Sequence, residues 1–196
     1  MQAVPQQGLK PREDNRMTVS DQQLARPIEV ILSDVDGVLT DGRIIVDNHG
    51  VETKQFHVRD GLGIKLWQQA GYRFGLITAR NSQIVKMRAA ELGIEIVRQG
   101  QNDKRKAMLD VLQQYGYKLE QVCYIGDDLP DLPVLYEVGL PVTVADAAME
   151  VRQTARWITQ AAGGAGAVRE LIERLLRAKS RWDDFVPTPV PNASST

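Results

Sequence analysis

Five short apolar runs, each four or five residues long and almost continuous, constrain this chain more than any other feature: Ile28 to Leu32, Arg73 to Ile77, Ile94 to Val97, Gln121 to Ile125 and Leu140 to Val144. Runs of this length without polar alternation predict strands covered on both faces, as in a parallel sheet. The segments between them carry helical spacing. Leu62, Leu66 and Ala70 share one face of a first helix, and Val85, Ala89 and Leu92 share one face of a second. Met108, Leu109 and Leu112 mark a third, and Val168 to Ala178 a terminal one. Gly71, Gly93 and Gly116 stand where helix C-caps belong. Strands alternating with helices predict an α/β fold built on a doubly wound parallel sheet. One segment breaks the alternation. Residues 43–58 run Arg-Ile-Ile-Val-Asp, then Asn48-His49-Gly50, then Val51 to Val58, which reads as a β-hairpin inserted after the first strand.

The ends of the chain differ from this middle. Residues 1–27 read as a polar arm with a short helix near Asp21 to Ala25, and no aromatic residue precedes Phe56. Residues 181–196 carry Pro187, Pro189 and Pro191 and read as a Pro-rich tail. A single domain over 28–180 remains. Lys and Arg number 24 against 25 for Asp and Glu, a net charge of −1, which argues against a nucleic-acid coat or a polybasic membrane anchor. No apolar run approaches the roughly 18 residues a membrane helix needs. Cys123 is the only cysteine, so no intrachain disulfide can form and a reducing cytoplasm is the expected location. With His49 and His57 the only histidines, a His/Cys zinc site is not expected.

In open α/β sheets, ligands bind beyond the carboxyl ends of the strands. The first expected strand runs into Asp34-Val35-Asp36-Gly37-Val38-Leu39-Thr40, the second into Thr78-Ala79-Arg80, and the fourth into Gly126-Asp127-Asp128-Leu129-Pro130-Asp131. Lys104 follows at a helix start. Carboxylates, a hydroxyl and an ammonium brought to one point suit phosphoryl transfer. Crowded carboxylates need a divalent cation, and Mg²⁺ prefers their oxygens. Asp34 then serves as nucleophile, forming an aspartyl phosphate. Thr78, Lys104 and the backbone N–H groups near Gly37 stabilise phosphoryl charge. Asp36, two residues on, serves as general acid and then base. Asp128 suits either Lys104 or a loop amide, and Asp131 suits a helix cap as well as a supporting acid. Arg59 and Arg80 suit a substrate carboxylate, since guanidinium pairs with it bidentately. Cys123, Trp67 and Trp157 read as core.

These motifs, in this order, resemble the haloacid dehalogenase superfamily: a DxDGxxT loop, a strand-end Thr, a Lys and a GDDxxD segment within residues 28–178. Phe56-His57-Val58-Arg59-Asp60-Gly61, Arg98-Gln99-Gly100 and Ala162-Gly163-Gly164-Ala165-Gly166-Ala167 narrow the resemblance to the 3-deoxy-D-manno-octulosonate 8-phosphate phosphatase family. The resemblance implies a Rossmann-like fold of haloacid dehalogenase type, and a Mg²⁺-dependent phosphatase of a small phosphorylated sugar acid used in lipopolysaccharide. It implies a homotetramer in which hairpins of neighbouring subunits cover the site. Metal contacts fall on Asp34, Asp36 through its backbone carbonyl, and Asp127. Substrate contacts fall on Asp36, Gly37, His57, Val58, Arg59, Asp60, Gly61, Lys65, Arg80, Arg88 and Lys104. The chain departs from the family at Ala165, where many members have Arg. Spacing agrees with a subclass lacking a cap domain, because Thr40 to Arg73 holds only a hairpin and one helix. Sialic-acid 9-phosphate phosphatases and the phosphatase-like domains of some sialic-acid cytidylyltransferases look similar. Two readings from other classes are a phospho-acceptor signalling domain and a catalytically silent oligomeric partner. Turnover separates the three classes, because only an enzyme releases phosphate repeatedly.

Overall fold

The computed structural model describes residues 21–187. Its strands are β1 (Val30–Ser33), β2 (Ile45–Val46), β3 (Glu52–Thr53), β4 (Arg73–Ile77), β5 (Ile96–Arg98), β6 (Val122–Gly126), β7 (Leu140–Thr143) and β8 (Trp157–Ile158). Six of them form one parallel sheet in the order β5-β4-β1-β6-β7-β8. The chain runs outward from β1 to β5 on one side and then returns to build β6, β7 and β8 on the other. The strand order therefore reverses beside β1, and Ser33 is level with both Leu76 and Ile125. The crevice beyond those carboxyl ends is where such a sheet binds ligands.

Every residue of β1 and β6 is buried, as expected of strands covered on both faces. Alternate side chains feed two cores. Ile31, Cys123 and Ile125 meet one core with α1 (Asp21–Ala25), α2 (Val58–Gln69), α3 (Gln83–Leu92) and α7 (Ala167–Ala178). Leu32, Val122 and Tyr124 meet the other with α4 (Lys104–Tyr115), α5 (Leu132–Leu135) and α6 (Met149–Thr154). The two-residue strand β8 is too short for a periodic signal, and the sequence reading did not contain it.

The expected face of α2 is observed in part, with Ala70 buried and Leu66 packed against the core. Leu62 is 51% exposed, whereas Gly61, Gly63, Ile64 and Trp67 are buried. The reason is the close approach of α7. A Cβ on Gly63 would lie 3.1 Å from Arg169 Cδ, so glycines rather than leucines mark the contact. The packed body also reaches past residues 28 and 180. Ala25 is fully buried, Asp21 accepts two bonds from Arg174 at 2.8 and 2.9 Å, and Trp182 is buried beneath the guanidinium groups of Arg169 and Arg177. The remaining parts of the expected arm and tail, 1–20 and 188–196, lie outside the described residues.

The hairpin is present and short. Ile45 pairs with Thr53 and Val46 with Glu52. Asp47 Oδ1 accepts the N–H groups of His49 and Val51, both at 2.8 Å, which closes the turn. Among the described residues, only this hairpin and α2 stand between β1 and β4, so no cap domain is inserted there.

The Gly-rich segment before α7 docks as bare backbone on the loop after β1. Gly164 N–H donates to Val38 O at 2.9 Å, and Gly163 N–H donates to Asp146 Oδ1 at 2.9 Å. A Cβ on Gly163 would lie 1.9 Å from Gly37 O. Gly163→Ala therefore forces two loops apart, and overpacking of this kind costs about 1–3 kcal/mol. A urea midpoint lowered at unchanged slope is the expected result, and an unaltered midpoint would show that the loops dock loosely.

Candidate active site

Asp34 follows β1 directly. Its N–H donates to Ile125 O at 3.0 Å, which continues the ladder to β6, and its Oδ1 accepts the N–H of Val35 at 2.7 Å. The loop then turns back on itself, with the N–H groups of Leu39 and Thr40 on Val35 O at 2.9 and 3.1 Å. Gly37 adopts φ +94°, and a Cβ there would sit 2.0 Å from Asp127 Oδ2. Only glycine lets this loop lie against the carboxylate that follows β6.

Lys104 begins α4, whose N-cap Asp103 accepts the N–H of Lys106 at 2.9 Å. Its ammonium is buried and lies 2.7 Å from Asp34 Oδ2 and 2.7 Å from Asp131 Oδ1. Asp131 is wholly buried and also accepts from Tyr124 OH at 2.6 Å and from the N–H groups of Asp127 and Asp128 at 3.0 and 3.2 Å. Asp128, which the sequence offered as a partner for Lys104, is exposed and accepts the N–H of Leu129 at the start of a 3₁₀ turn. The two acids thus divide the roles, with Asp131 holding the lysine and Asp128 capping. Gly126 permits this, because a Cβ there would lie 2.4 Å from Asp131 Cγ. Thr78 is buried just past β4, held by its N–H to Arg98 O at 2.9 Å and its carbonyl from Gln101 N–H at 3.0 Å.

Oxygens of Asp34, Asp127 and Asp131 lie within 4.8 Å of one another. One ammonium cannot neutralise three carboxylates. Burial, with the neighbouring Asp131 charge, raises Asp34 to about 6. Burial, with the charges of Asp34 and Asp131, raises Asp127 to about 7. Asp127 Oδ1 is buried without a hydrogen-bond partner. A partnerless, crowded carboxylate oxygen is the feature a hard divalent cation satisfies, so these residues fit the expected Mg²⁺.

Asp36 is half-buried and faces the hairpin. Lys54 pairs with its Oδ1, and Arg80 Nε lies 3.7 Å from its Oδ2. Glu52 joins the same group, 2.6 Å from Arg80 and 3.6 Å from Lys54. Sequence reasoning assigned Glu52 and Tyr124 no part in the site. Glu52 stands two residues before Lys54, which follows β3 directly, and that spacing was the available signal for a shared face.

The residues expected around the start of α2 do not join these carboxylates within one chain. His57, Asp60, Gly61 and Arg88 line a separate small cleft with Phe56 and Ile64. His57 Nδ1 accepts the N–H of Arg59 at 3.3 Å as the N-cap of α2. Asp60 is 2% exposed and accepts the N–H of Arg169 at 2.7 Å, so it ties α2 to α7 rather than meeting solvent. Val58 is 78% exposed, and Arg88 reaches Glu91 at 2.8 Å. Lys65 is exposed, and its charge acts on Glu91. Arg59 and Ala165 border a groove along α7 with Arg169 and Arg174.

Residues 87–171 match the family of haloacid dehalogenase-like hydrolases. The 3-deoxy-D-manno-octulosonate 8-phosphate phosphatase KdsC of Escherichia coli (strain K12) is 44% identical over 160 residues, covering 82% of this chain and 85% of that protein. The chain belongs to this phosphatase family. A crystal structure of the Moraxella catarrhalis phosphatase in complex with magnesium ion, phosphate ion and KDO molecule is 42% identical. It matches with a TM-score of 0.82 over 84% of this chain and 95% of that one. The cobalt-bound form of the Haemophilus influenzae phosphatase matches with a TM-score of 0.81 at 39% identity, covering 84% of this chain and 96% of that one. The loop, threonine, lysine and acidic segment on which the sequence resemblance rested stand at the ends of β1, β4 and β6 and at the start of α4.

The raised carboxyls give a sign to the pH dependence of stability. Asp127 holds its proton to about pH 7 in the folded protein, against about 4 for an unperturbed Asp. Between about pH 4 and 7 the folded state binds more protons, so this group's contribution falls as pH rises. In a chelator, wild type should lose stability relative to Asp127→Asn across that window. Mg²⁺ should raise the wild-type melting temperature more at pH 7.5 than at pH 5. Parallel stability curves for the two proteins in chelator would contradict the crowding of charge at Asp127.

Proposed function

We propose that this chain hydrolyses 3-deoxy-D-manno-octulosonate 8-phosphate through an aspartyl phosphate on Asp34. The observation that carries the reading is Asp34 itself. It is a buried carboxylate at the strand-order reversal, 2.7 Å from the Lys104 ammonium and crowded by a partnerless Asp127 oxygen. The names of the relatives supply the substrate and do not favour the nonulosonate 9-phosphate alternative.

Asp34 attacks phosphorus, the P–O ester bond breaks, and Asp36 gives its proton to the leaving oxygen. Water then attacks the aspartyl phosphate as Asp36 takes a proton from it, releasing phosphate and Asp34. Lys104, the Thr78 hydroxyl and the N–H of Gly37 stabilise charge on the transferring group. Asp131 keeps Lys104 aimed, and Asp128 keeps the acidic loop closed. Asp34, Asp127 and the backbone carbonyl of Asp36 would hold the Mg²⁺, which would supply positive charge to offset carboxylate repulsion and to stabilise the phosphate oxygens. Arg80 is the candidate for the substrate carboxylate, in exchange for Glu52.

The reading includes a cytoplasmic homotetramer. No helix among the described residues is long and apolar enough to cross a membrane. Ile44, Ile45, Val46 and Val51 are 43–63% exposed on the hairpin, and an apolar two-stranded ribbon needs something to pack on.

Asp34→Asn should abolish phosphate release with Mg²⁺ present, and Asp36→Asn should slow it by roughly 10²–10⁴-fold. Near-normal release by the first variant would remove Asp34 from the mechanism. Replacing residues 45–55 with a short Gly linker should give a smaller species in light scattering. It should also raise the KM for the sugar-acid phosphate more than for an aryl phosphate. A monomeric wild type would overturn the tetramer.

A further inference from the structure

The hairpin turns its apolar residues outward and one charge inward. Lys54 has a side chain only 2% exposed, while Ile44 is 63% exposed. The Lys54 ammonium pairs with Asp36 Oδ1 and lies 3.6 Å from Glu52 Oε1. Arg80 closes the ring, 2.6 Å from Glu52 and 3.7 Å from Asp36 Oδ2, beyond hydrogen-bond range of that oxygen. Among the described residues, Lys54 and Arg80 are the only ion partners of Asp36. One oxygen of the carboxyl is thus anchored and the other is left open.

We infer that Lys54 is the positioning residue of the acid–base step, which rests on the role proposed above for Asp36. A proton passes between Asp36 Oδ2 and the leaving oxygen as the P–O bond breaks, and returns to Oδ2 from the attacking water. Lys54 gains and loses none. It fixes Oδ1, and with it the side-chain rotamer that aims Oδ2. A half-buried Asp without that anchor is free among its staggered rotamers, and misplacement by about 1 Å can cost roughly 10²-fold. Burial of the ammonium strengthens the pair by removing competing water.

The leaving group supplies the test. An alkyl ester needs its oxygen protonated as it departs, whereas 4-nitrophenyl phosphate departs as a stabilised phenolate. The full chain with Mg²⁺ is assayed on three substrates: 3-deoxy-D-manno-octulosonate 8-phosphate, arabinose 5-phosphate (an alkyl ester without a carboxylate) and 4-nitrophenyl phosphate. Hydrolysis of the aspartyl phosphate also needs Asp36 and is common to the three substrates, so the comparison is made on kcat/KM, which ends at leaving-group departure. Lys54→Met should lower it on both alkyl esters alike, by about 10²-fold, and on the aryl ester by less than a tenth of that factor. Lys54→Arg should recover most of the alkyl kcat/KM, which shows that the loss is not one of folding. A loss confined to the octulosonate ester, carried by KM, would make Lys54 a carboxylate binder and overturn the inference. An equal loss on all three substrates, or no loss, would also overturn it. Asp36→Asn on the same panel separates the two levels. If it lacks the alkyl-selective loss, the acid–base reading falls and the role of Lys54 with it. If it shows that loss and Lys54→Met does not, the role of Lys54 falls alone.

Discussion

A buried ammonium between two buried carboxylates organises this molecule. Lys104 arrives from the start of α4, Asp34 from the end of β1 and Asp131 from the turn after β6. Removing Lys104 would leave buried carboxylates without their counter-charge, which is far costlier than never burying them. The three elements are therefore held together by charge as well as by the apolar cores on either side. Asp131 is fully committed to this task through Tyr124 OH, Lys104 and two backbone N–H groups. That commitment leaves the surplus negative charge on Asp34 and Asp127. Burial and mutual repulsion push both above the usual carboxylate range. The folded chain thus stores repulsion at the point where a cation would relieve it.

The close approach of these groups depends on missing side chains. Gly37 admits the Asp127 carboxylate, Gly126 admits Asp131, and Gly163 admits the carbonyl of Gly37. Each glycine removes a Cβ that would overlap an atom of the site or of the loop supporting it. The Gly-rich stretch before α7 thus acts through shape. It backs the loop of Asp34 and Asp36 from behind, with Gly164 N–H on Val38 O and Gly163 N–H on Asp146.

The same contacts decide what was legible in the sequence. The strands showed because burial on both faces writes continuous apolar runs. Asp34, Lys104 and Asp127 showed because their chemistry lies in the side chain and their order along the chain is distinctive. The division of labour between Asp128 and Asp131 did not show. It turns on which carboxylate passes over Gly126, a matter of three-dimensional approach. The exposure of Leu62 on α2 did not show for a related reason. Apolar spacing counts leucines, and here the contact with α7 is made by Gly63, which carries no hydrophobic signal. Asp60 came in as a ligand through the resemblance of the Phe56–Gly61 segment, yet its carboxylate turns inward to the backbone of Arg169.

An acid–base carboxyl faces two opposed demands. It must exchange protons with substrate and water, so it cannot be sealed inside like Asp131. It must also hold one orientation, which an exposed side chain does not do unaided. Asp34 meets the second demand through burial, with Val35 N–H on one oxygen and Lys104 on the other. Asp36 stands half-buried and faces the hairpin. The hairpin resolves the conflict by sending in a single buried ammonium to one oxygen while its apolar side chains face outward. A segment so short cannot build its own core, and in the proposed tetramer its outward face meets other copies. Its inward charge would tie that contact to Asp36, the residue proposed to transfer the proton. Cover and acid–base geometry then depend on the same few residues, Glu52 to Lys54, which is how a chain without a cap domain could serve both needs.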